Sequence, residues 1–295
     1  MQLTIFTPAY NRADLLPRCF ESMKRQTSQN FIWLIIDDGS TDNTRELVQS
    51  WMNESLGFKL RYVYKENGGL HTAYNEAIAN TDTELCVCID SDDFMPDDAV
   101  EKILNFWNKN GSDDVAGIVG LDFDLNGNCL GDPLPDQEKV NLIDLLAGKY
   151  PIRNLDRTNV VRTELYKKYA PMPSFAGEKN FNPHYMHLQI STEYDFLVMN
   201  ENLRFVEYQP GGMTSNILRQ FRNSPKSFAE TRKLYLSFPN TSLKFRFRHC
   251  MHYVSSCIFA GNKNIIKNSP AKLLTAVAFL PGIALNIYIR FKTRR

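Results

Sequence analysis

Short apolar runs alternate with segments of helical spacing along the first 110 residues. The runs cover residues 3–7, 31–36 and 85–89, and each ends in a cluster of polar, turn-forming residues. Apolar residues recur at helical spacing over 15–23, and 41–47 has the Thr/Asp-then-Glu pattern that is typical of a capped helix start. Alternating strands and helices predict a parallel α/β sheet, in which distant strands end at one common edge.

A cluster of carboxylates follows the third apolar run without a spacer. Asp90, Asp92 and Asp93 come directly after the run 85–89. Ligands bind at the carboxyl ends of such strands, where one or two carboxylates and substrate phosphates together hold Mg²⁺ or Mn²⁺. The alternative is an acidic turn before a helix, because Pro96 and two aspartates follow and are typical of a helix start.

Four segments, in this order, resemble the family 2 glycosyltransferases of the bacterial surface-polysaccharide type. They read TPAYNRADLLPRCFESM, FIWLIIDDGSTDNTRELV, NGGLHTAYNEAI and CIDSDDFMPDDAVEKI, and they cover roughly the first 110 residues densely. Four ordered motifs are far more specific than any single one. The resemblance implies the GT-A fold, a Rossmann-like, mostly parallel central sheet with helices on both faces.

The resemblance also implies a binding site for a nucleotide-sugar donor at the strand ends. Pro8, Tyr10 and Arg12 would border the base of the nucleotide. Asp38, after the second run, would accept a hydrogen bond from the nucleoside.

The cofactor that the resemblance implies is Mn²⁺ or Mg²⁺. Asp92 is expected to contact the metal directly, and Asp90 to contact the metal or the ribose, as the D-x-D pair. Ser91 and Asp93 are further donor-binding candidates, and Asp93 would support the pair or bind the sugar hydroxyls. A cation that bridges the diphosphate oxygens stabilises the charge that develops on the leaving group.

The segment 67–75 contains a Gly-Gly turn before a short helix, which is predicted over 72–79. Its backbone and the helix N-terminus suit a donor phosphate. The candidate donor-binding residues in this segment are Asn67, Gly69, His71 and Asn75. An ordinary strand-to-helix connection is the alternative, and Leu70 stands where similar proteins often carry a cation.

Two carboxylates after the metal motif are candidates for the general base. Glu178 follows a glycine in 175–181, which resembles the F-x-G-E-K-x-F segment of a bacterial subgroup of these enzymes. Asp195 is the alternative, but a predicted hairpin of 194–199 and 203–208 explains it structurally. We therefore predict that Glu178 deprotonates the acceptor. Attack opposite the leaving diphosphate then gives inversion in one displacement.

The formal net charge of +1 conceals an uneven distribution of charge along the chain. All 33 acids lie at or before Glu230, so the chain carries −11 up to that residue and +12 beyond it. We predict a GT-A catalytic domain over 1–220 and a basic helical region over 221–295, with helices at 221–236 and 243–259. The basic region predicts an anionic partner, and without a recognised nucleic-acid-binding motif a membrane surface is favoured over nucleic acid.

The uncharged stretch 273–289 is bounded by basic residues and interrupted by Pro281-Gly282. It is at the short limit for a bilayer span, so an interfacial or re-entrant membrane segment over 272–295 is predicted. A pair of core helices is the alternative. Six cysteines without metal spacing, and a chain that opens directly on a strand, predict a cytosolic protein at the cytoplasmic face of the cell membrane.

The sequence thus predicts a metal-dependent, inverting glycosyltransferase. Its donor is expected to be a UDP-sugar, and its acceptor a saccharide or a polyprenyl-linked saccharide in surface polysaccharide synthesis. Two alternatives stay open: a sugar-1-phosphate nucleotidyltransferase, and a non-catalytic membrane-bound protein that binds nucleotide sugars. The first normally has a glycine-rich loop after its first strand, whereas 7–12 contains no glycine, and the second would lack a metal or base residue.

Overall fold

The computed structural model describes residues 1–153, 156–207, 209 and 216–294. The chain divides into two compact units. Unit 1 comprises residues 1–171 and 186–208, and unit 2 comprises residues 172–185 and 209–295. These units differ from the predicted domains, because 172–185 and 209–220 group with the C-terminal helices rather than with the sheet.

Unit 1 contains one sheet of eight described strands. In chain order the strands are β1 Leu3–Ala9, β2 Phe31–Asp37, β3 Lys59–Tyr64, β4 Leu85–Cys88, β5 Val115–Phe123, β6 Lys139–Val140, β7 Arg157–Arg162 and β8 Asp195–Phe205. Their order in the sheet is β3-β2-β1-β4-β7-β5-β8-β6. Strands β6 and β7 are antiparallel to their neighbours and the other six share one direction, so the predicted mostly parallel sheet is confirmed.

The helices connect these strands and make up most of the C-terminal part. In chain order they are α1 Leu16–Lys24, α2 Thr44–Met52, α3 Leu70–Ala79, α4 Ala99–Asn110, α5 Leu142–Leu146, α6 Thr163–Tyr169, α7 His184–Ile190, α8 Ile217–Asn223, α9 Pro225–Ser237, α10 Leu243–Phe259, α11 Lys272–Val277 and α12 Phe279–Lys292.

The core of unit 1 is built on strands that are covered on both faces. All seven residues of β1 are buried, as are all but one of β2. Against β2, the ring of Phe20 stacks on Trp33 and on Trp51, with ring centroids 5.9 and 4.2 Å apart. The near-continuous apolar runs of the sequence are therefore those of buried parallel strands.

The predicted hairpin around residues 200–202 is wrong. The structure has one continuous strand, β8, which pairs with β5 in parallel and shifts register between Gly120 and Leu121. The polar residues that resembled a turn lie at this irregularity, where a bulge accommodates them within the strand. Tyr208, at the end of the predicted second strand, lies outside the described residues.

Unit 2 is built around α10, whose predicted bounds are confirmed. The helix predicted over 221–236 is divided at Ser224, because Pro225 begins α9 and disfavours helical backbone at the residue before it. The predicted interruption at Pro281-Gly282 is misplaced. The break is at Ala278, and Pro281 lies in the first turn of α12, where its missing N–H costs no hydrogen bond.

One face of the two last helices packs on α10. A Cβ at Gly282 would lie 2.5 Å from Cβ of Val254, and the Asn286 amide donates to the Ser255 carbonyl at 3.1 Å. Within the described residues, no helix has both the length and the apolar character that a bilayer crossing requires.

Candidate active site

The carboxyl ends of six strands of unit 1 meet at one edge of the sheet, which we call the carboxyl rim. It includes the segments after β1, β2 and β4, and the end of β8. The parallel register of β1 with β2 and with β4 fixes this arrangement. Residues that are 80 positions apart in the sequence thus become neighbours, as expected for an open α/β sheet.

The loop after β1 is tied to the loops after β2 and β4. The backbone N–H of Asn11 donates to Oγ of Ser40 at 2.9 Å, and the Asn11 side chain accepts from the N–H of Thr41 at 2.8 Å. Asn11 has a φ of 54°, which asparagine tolerates better than most residues. Nε of Arg12 donates to Oγ of Ser91 at 3.1 Å, so the first loop reaches the aspartate motif.

Pro8 and Tyr10, the other two candidates of this loop, have different environments. Pro8 belongs to β1 and pairs with Ile36 of β2, so it is part of the sheet. Tyr10 follows the strand and its side chain is 46% exposed. Of the two, Tyr10 is the one whose side chain is exposed at the rim.

Asp38 holds the Gly-Gly segment. One carboxylate oxygen accepts from Nζ of Lys65 at 2.6 Å and from the N–H of Gly68 at 2.9 Å. The other accepts from the N–H of Gly69 at 2.8 Å and from the Asn67 amide at 3.2 Å. These donors occupy most of the hydrogen-bond acceptor positions of a carboxylate. Asp38 therefore orders the Gly-Gly segment whether or not it also binds a nucleoside.

Two glycines let the loops approach each other at this point. A Cβ at Gly39 would lie 2.6 Å from the backbone nitrogen of Asn67, and Gly39 has a φ of 79°. Gly69 has a φ of 95° and immediately precedes α3. The helix begins two residues earlier than predicted, with His71 buried and Asn75 half-buried on it.

The aspartate motif surrounds one arginine of β8, Arg204, whose side chain is 13% exposed. The Arg204 guanidinium lies 3.5 Å from a carboxylate oxygen of Asp90 and 3.4 Å from one of Asp93. It also forms an ion pair with Asp122 of β5, which is wholly buried and accepts from the Thr158 hydroxyl at 2.6 Å. The position of Arg204 between these acids is decided by the register of β8 against β5.

The crowding of acids changes their protonation. Burial raises the pKa of Asp93 to about 8, with Arg204 opposing the shift and the neighbouring carboxylates, Asp90 first, adding to it. Desolvation and the charge of Asp92 raise the pKa of Asp90 in the same direction. Desolvation would lower the pKa of Arg204, but three carboxylates outweigh it, so Arg204 keeps its charge. These raised pKa values show that the carboxylates oppose one another's ionisation, and a bound cation would favour their charged forms.

The D-x-D carboxylates differ from Asp93 in exposure. Asp93 is 4% exposed and also accepts from the N–H of Glu207 at 3.4 Å. The Asp90 side chain is 45% exposed, and Asp92 is half-buried, with its carbonyl accepting from Arg18. Arg18 pairs with Glu207 as well, so it links the motif to the end of β8.

The residues present fit a divalent cation that is shared with a ligand. Among the described residues, no three His, Cys, Asp or Glu side chains form a metal-binding cluster. Mg²⁺ needs no such cluster, because it is usually held by one or two carboxylates, water and substrate phosphates. Asp90 and Asp92 provide two partly exposed carboxylates of that kind.

Asp195 lies at the end of the sheet opposite to the carboxyl rim, where the parallel strands begin. It is the first residue of β8 and pairs with Val115, at the amino end of β5, whereas the rim lies at Phe205. Ten residues of strand correspond to roughly 30 Å. The Asp195 carboxylate accepts from the Asn141 amide at 2.8 Å, so a structural role accounts for it.

Glu178 belongs to unit 2, where its carboxylate binds the N-terminus of α9. One oxygen accepts from the N–H of Lys226 at 2.9 Å, and the other from the N–H and the hydroxyl of Ser227 at 2.8 and 2.7 Å. These N–H groups have no partner within the helix, so the acid caps it and interacts favourably with its dipole. Glu178 is 7% exposed and is held in place by these hydrogen bonds.

Sequence reasoning missed three charged residues that organise the rim, namely Lys65, Asp122 and Arg204. Lys65 provides a cation next to the Gly-Gly segment. The sequence had suggested that this segment lacks a cation, because Leu70 stands where similar proteins often carry one. Arg204 stands among other polar residues and left no such signal, whereas Asp122 is a charge inside an otherwise apolar strand segment. Such a charge requires a partner when it is buried, although the sequence does not say which.

Sequence comparison agrees with the fold and the rim. The model of glycosyl transferase family 2 matches residues 4–162, more than half of the chain. The chain therefore belongs to glycosyltransferase family 2. It is 32% identical over 225 residues to chondroitin synthase of Escherichia coli, covering 68% of this chain and 32% of that protein. It is 31% identical over 116 residues to glycosyltransferase GlyG of Streptococcus pneumoniae, covering 39% of this chain and 38% of GlyG.

Solved structures share the GT-A fold. The structure of S. aureus TarS 1-349 in complex with UDP-GlcNAc superposes with a TM-score of 0.64 at 16% identity, covering 100% of this chain and 92% of that one. The mannosyltransferase PcManGT from Pyrobaculum calidifontis, in complex with GDP-Man and Mn²⁺, gives 0.58 at 17% identity, covering 96% and 75%. The predicted fold class is confirmed. The chain spans well under half the length of the curated relatives named above.

Proposed function

We propose that this chain transfers a sugar from a nucleotide-sugar donor, a UDP-sugar, to a saccharide acceptor in the synthesis of a surface polysaccharide. The observation that carries the proposal is the carboxyl rim, where the loops after β1 and β2, the Gly-Gly segment and the D-x-D pair converge. The names of the similar proteins support the choice of substrates, since they include chondroitin synthase and a complex with UDP-GlcNAc.

Asp90 and Asp92 are the residues that would hold Mn²⁺ or Mg²⁺. Two properties support this assignment: their partial exposure, and the excess of carboxylates over cations around Arg204. When bound, the cation would stabilise the negative charge of the departing diphosphate. Asp93 is already paired with Arg204 and would position the motif rather than bind the donor.

The other rim residues would position the nucleotide. Tyr10 presents its ring beside the loop, Arg12 is directed to the motif by Ser91, and Asp38 with Lys65 orders the backbone N–H groups of the Gly-Gly segment. The N–H groups of Gly68 and Gly69 donate to Asp38, and a loop that is already held in this way binds a ligand without a further cost of ordering.

Glu178 stays our candidate for the general base, with inversion as the expected outcome. Its carboxylate accepts three hydrogen bonds from α9, and a carboxylate has capacity for about four, so one acceptor position is left for an acceptor hydroxyl. Asp195 is disfavoured by its place at the opposite edge of the sheet.

We further propose that the protein acts at the cytoplasmic face of the membrane, on a polyprenyl-linked saccharide. Support comes from the second face of α11 and α12, which is apolar and exposed. Leu273, Leu280 and Phe291 are 88%, 75% and 70% exposed, and Lys272 and Arg290 lie on the same two helices. Exposed apolar side chains among cations suit the interface of an anionic membrane.

Donor hydrolysis across a panel of nucleotide sugars, with Mn²⁺ and with excess chelator, tests the proposed reaction. Asp92→Asn should lower turnover by at least ~10²-fold and weaken metal-dependent donor binding, because it removes charge at the metal site. Asp97→Asn makes the same chemical change at an exposed site and should keep full activity. Full activity of Asp92→Asn, or of the wild type in chelator, would refute the metal role.

A further inference from the structure

Unit 2 has almost no acid to balance its bases. Its two acidic residues are Glu178 and Glu230, whereas it contains sixteen lysines and arginines. Both acids are engaged: Glu178 caps α9, and Glu230 pairs with Lys233 at 2.9 Å. Unit 2 therefore has far more bases than its two carboxylates can pair with.

Arg232 of α9 is the most unusual of these bases. Its guanidinium lies over the ring of Tyr235, at 5.2 Å from the centroid, and its Nε has no hydrogen-bond partner among the described residues. Burial lowers its pKa, and the cation of Arg248 acts in the same direction although Tyr235 opposes it. By contrast, Arg157 of unit 1 donates to three carbonyls, and Arg204 of unit 1 faces three carboxylates.

Two histidines of α10 belong to the same cluster. The ring of His249 lies 4.8 Å from that of Tyr235, and its Nδ1 has no hydrogen-bond partner within the part of the chain that the structure describes. Burial lowers the pKa of His249 to about 3 and that of His252 to about 4. The charged groups that act on both rings are Arg232 and Arg248, and all of these residues are bases.

We propose that Arg232, Arg248, His249 and His252 form a binding site for a phosphate or diphosphate group. Among the described residues the Arg232 guanidinium has Tyr235 beside it but no carboxylate, and an anion in the cluster would compensate its charge. A guanidinium matches the geometry of phosphate oxygens, and a multivalent phosphate neutralises several bases at once, which a single carboxylate does not. Arg248 is exposed, so its guanidinium is accessible to an anion from solvent.

Calorimetric titration of the full chain with inorganic pyrophosphate tests the site. Chelator is present throughout, so that no metal can draw pyrophosphate to the anionic rim of unit 1. Arg232→Gln and Arg248→Gln should each weaken binding by at least ~10-fold, the expected effect of losing one charge-assisted hydrogen bond. Lys263→Gln removes the same charge from an exposed position in unit 2 and should change the Kd by less than ~2-fold.

The unfolding temperature separates a lost site from a lost fold. Pyrophosphate should raise the unfolding temperature of the wild type and of Lys263→Gln, but not that of Arg232→Gln. Without pyrophosphate, Arg232→Gln should be as stable as the wild type, because the substitution removes a charge that no described carboxylate compensates. Arg248→Gln alters an exposed residue and keeps the test valid if Arg232→Gln does not fold. Absence of pyrophosphate binding, or equal weakening in Lys263→Gln, would overturn the proposal.

Titration with farnesyl diphosphate, below its critical micelle concentration, shows whether the bound phosphate group belongs to an isoprenoid lipid or to a soluble molecule. Binding at least ~10-fold tighter than that of pyrophosphate indicates a phosphate on an isoprenoid chain, and equal affinity indicates a soluble phosphate. Both results support a phosphate site. Because neither donor nor metal is present, an enzyme that fails donor hydrolysis but binds pyrophosphate refutes the proposed function and not this site.

Discussion

Each carboxylate of the Asp90–Asp93 segment has its own set of partners. Asp93 is buried beside Arg204, whereas the Asp90 side chain is 45% exposed. Asp92 is half-buried and contributes its carbonyl, rather than its carboxylate, to Arg18. Residues of one type, within four positions, thereby differ in exposure and in hydrogen-bonding partners through their environment alone.

At Glu178, a catalytic role and a structural role predict different results. Glu178→Gln should lower transfer by at least ~10²-fold with donor affinity unchanged, if the carboxylate is the base. It should also lower the unfolding temperature, because the new amide group faces two backbone N–H donors. Ser227→Ala removes one hydrogen bond and leaves the carboxylate in place, so it should lower stability and keep transfer.

Activity is measured below the unfolding temperature of both variants. If folded Glu178→Gln shows full transfer activity, Glu178 is not the general base, and its role is limited to capping α9.

A pH dependence of stability follows from His249. Burial lowers its pKa to about 3 in the folded protein, with Arg232, His252 and Arg248 adding to the effect, whereas an unfolded chain titrates near ~6.5. Between these values the unfolded state binds a proton that the folded state does not, so the free energy of unfolding falls as the pH falls. Thermal unfolding from pH 7 to pH 5 should show a smaller decrease for His249→Phe than for the wild type. Equal decreases would contradict this assignment.

Helix α12 illustrates how one element serves two environments. Gly282, Asn286 and Ile289 are buried against unit 2, and Leu280 and Ile287 on its other side are 75% and 61% exposed. The spacing of three to four residues along each side is that of a helix with two distinct faces. From sequence, the uncharged stretch indicated either a membrane segment or core helices. One face of α12 packs like a core helix, and the other is apolar and exposed.

Close packing at Gly282 should reverse the usual effect of alanine in a helix. Gly→Ala inside a helix normally stabilises by about 1 kcal/mol. Here the new Cβ would lie 2.5 Å from Cβ of Val254, so we expect the free energy of unfolding to fall by about 1–3 kcal/mol in Gly282→Ala. Denaturant titration measures it. In a Val254→Gly background, which lacks the Cβ that the new methyl group meets, Gly282→Ala should be much less destabilising, and a stabilised Gly282→Ala in the wild type would show that α10 and α12 are farther apart.

At the scale of the whole molecule, charge is divided between the two units. The acids of unit 1 include the rim cluster, whereas unit 2 is strongly basic. A basic region with an exposed apolar face is suited to an anionic surface, and an acidic rim is suited to a cation that accompanies a diphosphate. The proposed functions of the two units therefore have opposite electrostatic requirements.

Co-sedimentation with lipid vesicles tests the proposed membrane surface. The full chain should bind vesicles that contain an anionic lipid more tightly than neutral ones, and salt should reduce the difference. Leu280→Ser with Phe291→Ser should weaken binding by at least ~10-fold, because two exposed apolar side chains are lost. Leu125→Ser, exposed in unit 1, is the matched control. Truncation before α11 is a poorer test, because it would uncover the face of α10 that α12 covers.

If the wild type ignores vesicles, or the double variant binds as well as the wild type does, the membrane proposal fails. The donor site would be unaffected, since it is built in unit 1.

The sequence alone was sufficient for the family, the α/β sheet and the residues at its strand ends. Buried parallel strands leave apolar runs of strand length, and the turns after them leave polar clusters, so both are local signals. Long helices such as α10 were also predicted with correct bounds, because apolar spacing is sustained over many residues.

Tertiary structure alone decided which charges meet. Arg204 lies among Asp90, Asp93 and Asp122 because β8 pairs with β5 in one continuous register, and a local turn pattern had suggested a hairpin instead. Glu178 caps a helix that begins 47 residues later in the chain. Pairing between distant segments depends on strand register and on burial, which no local window of sequence contains.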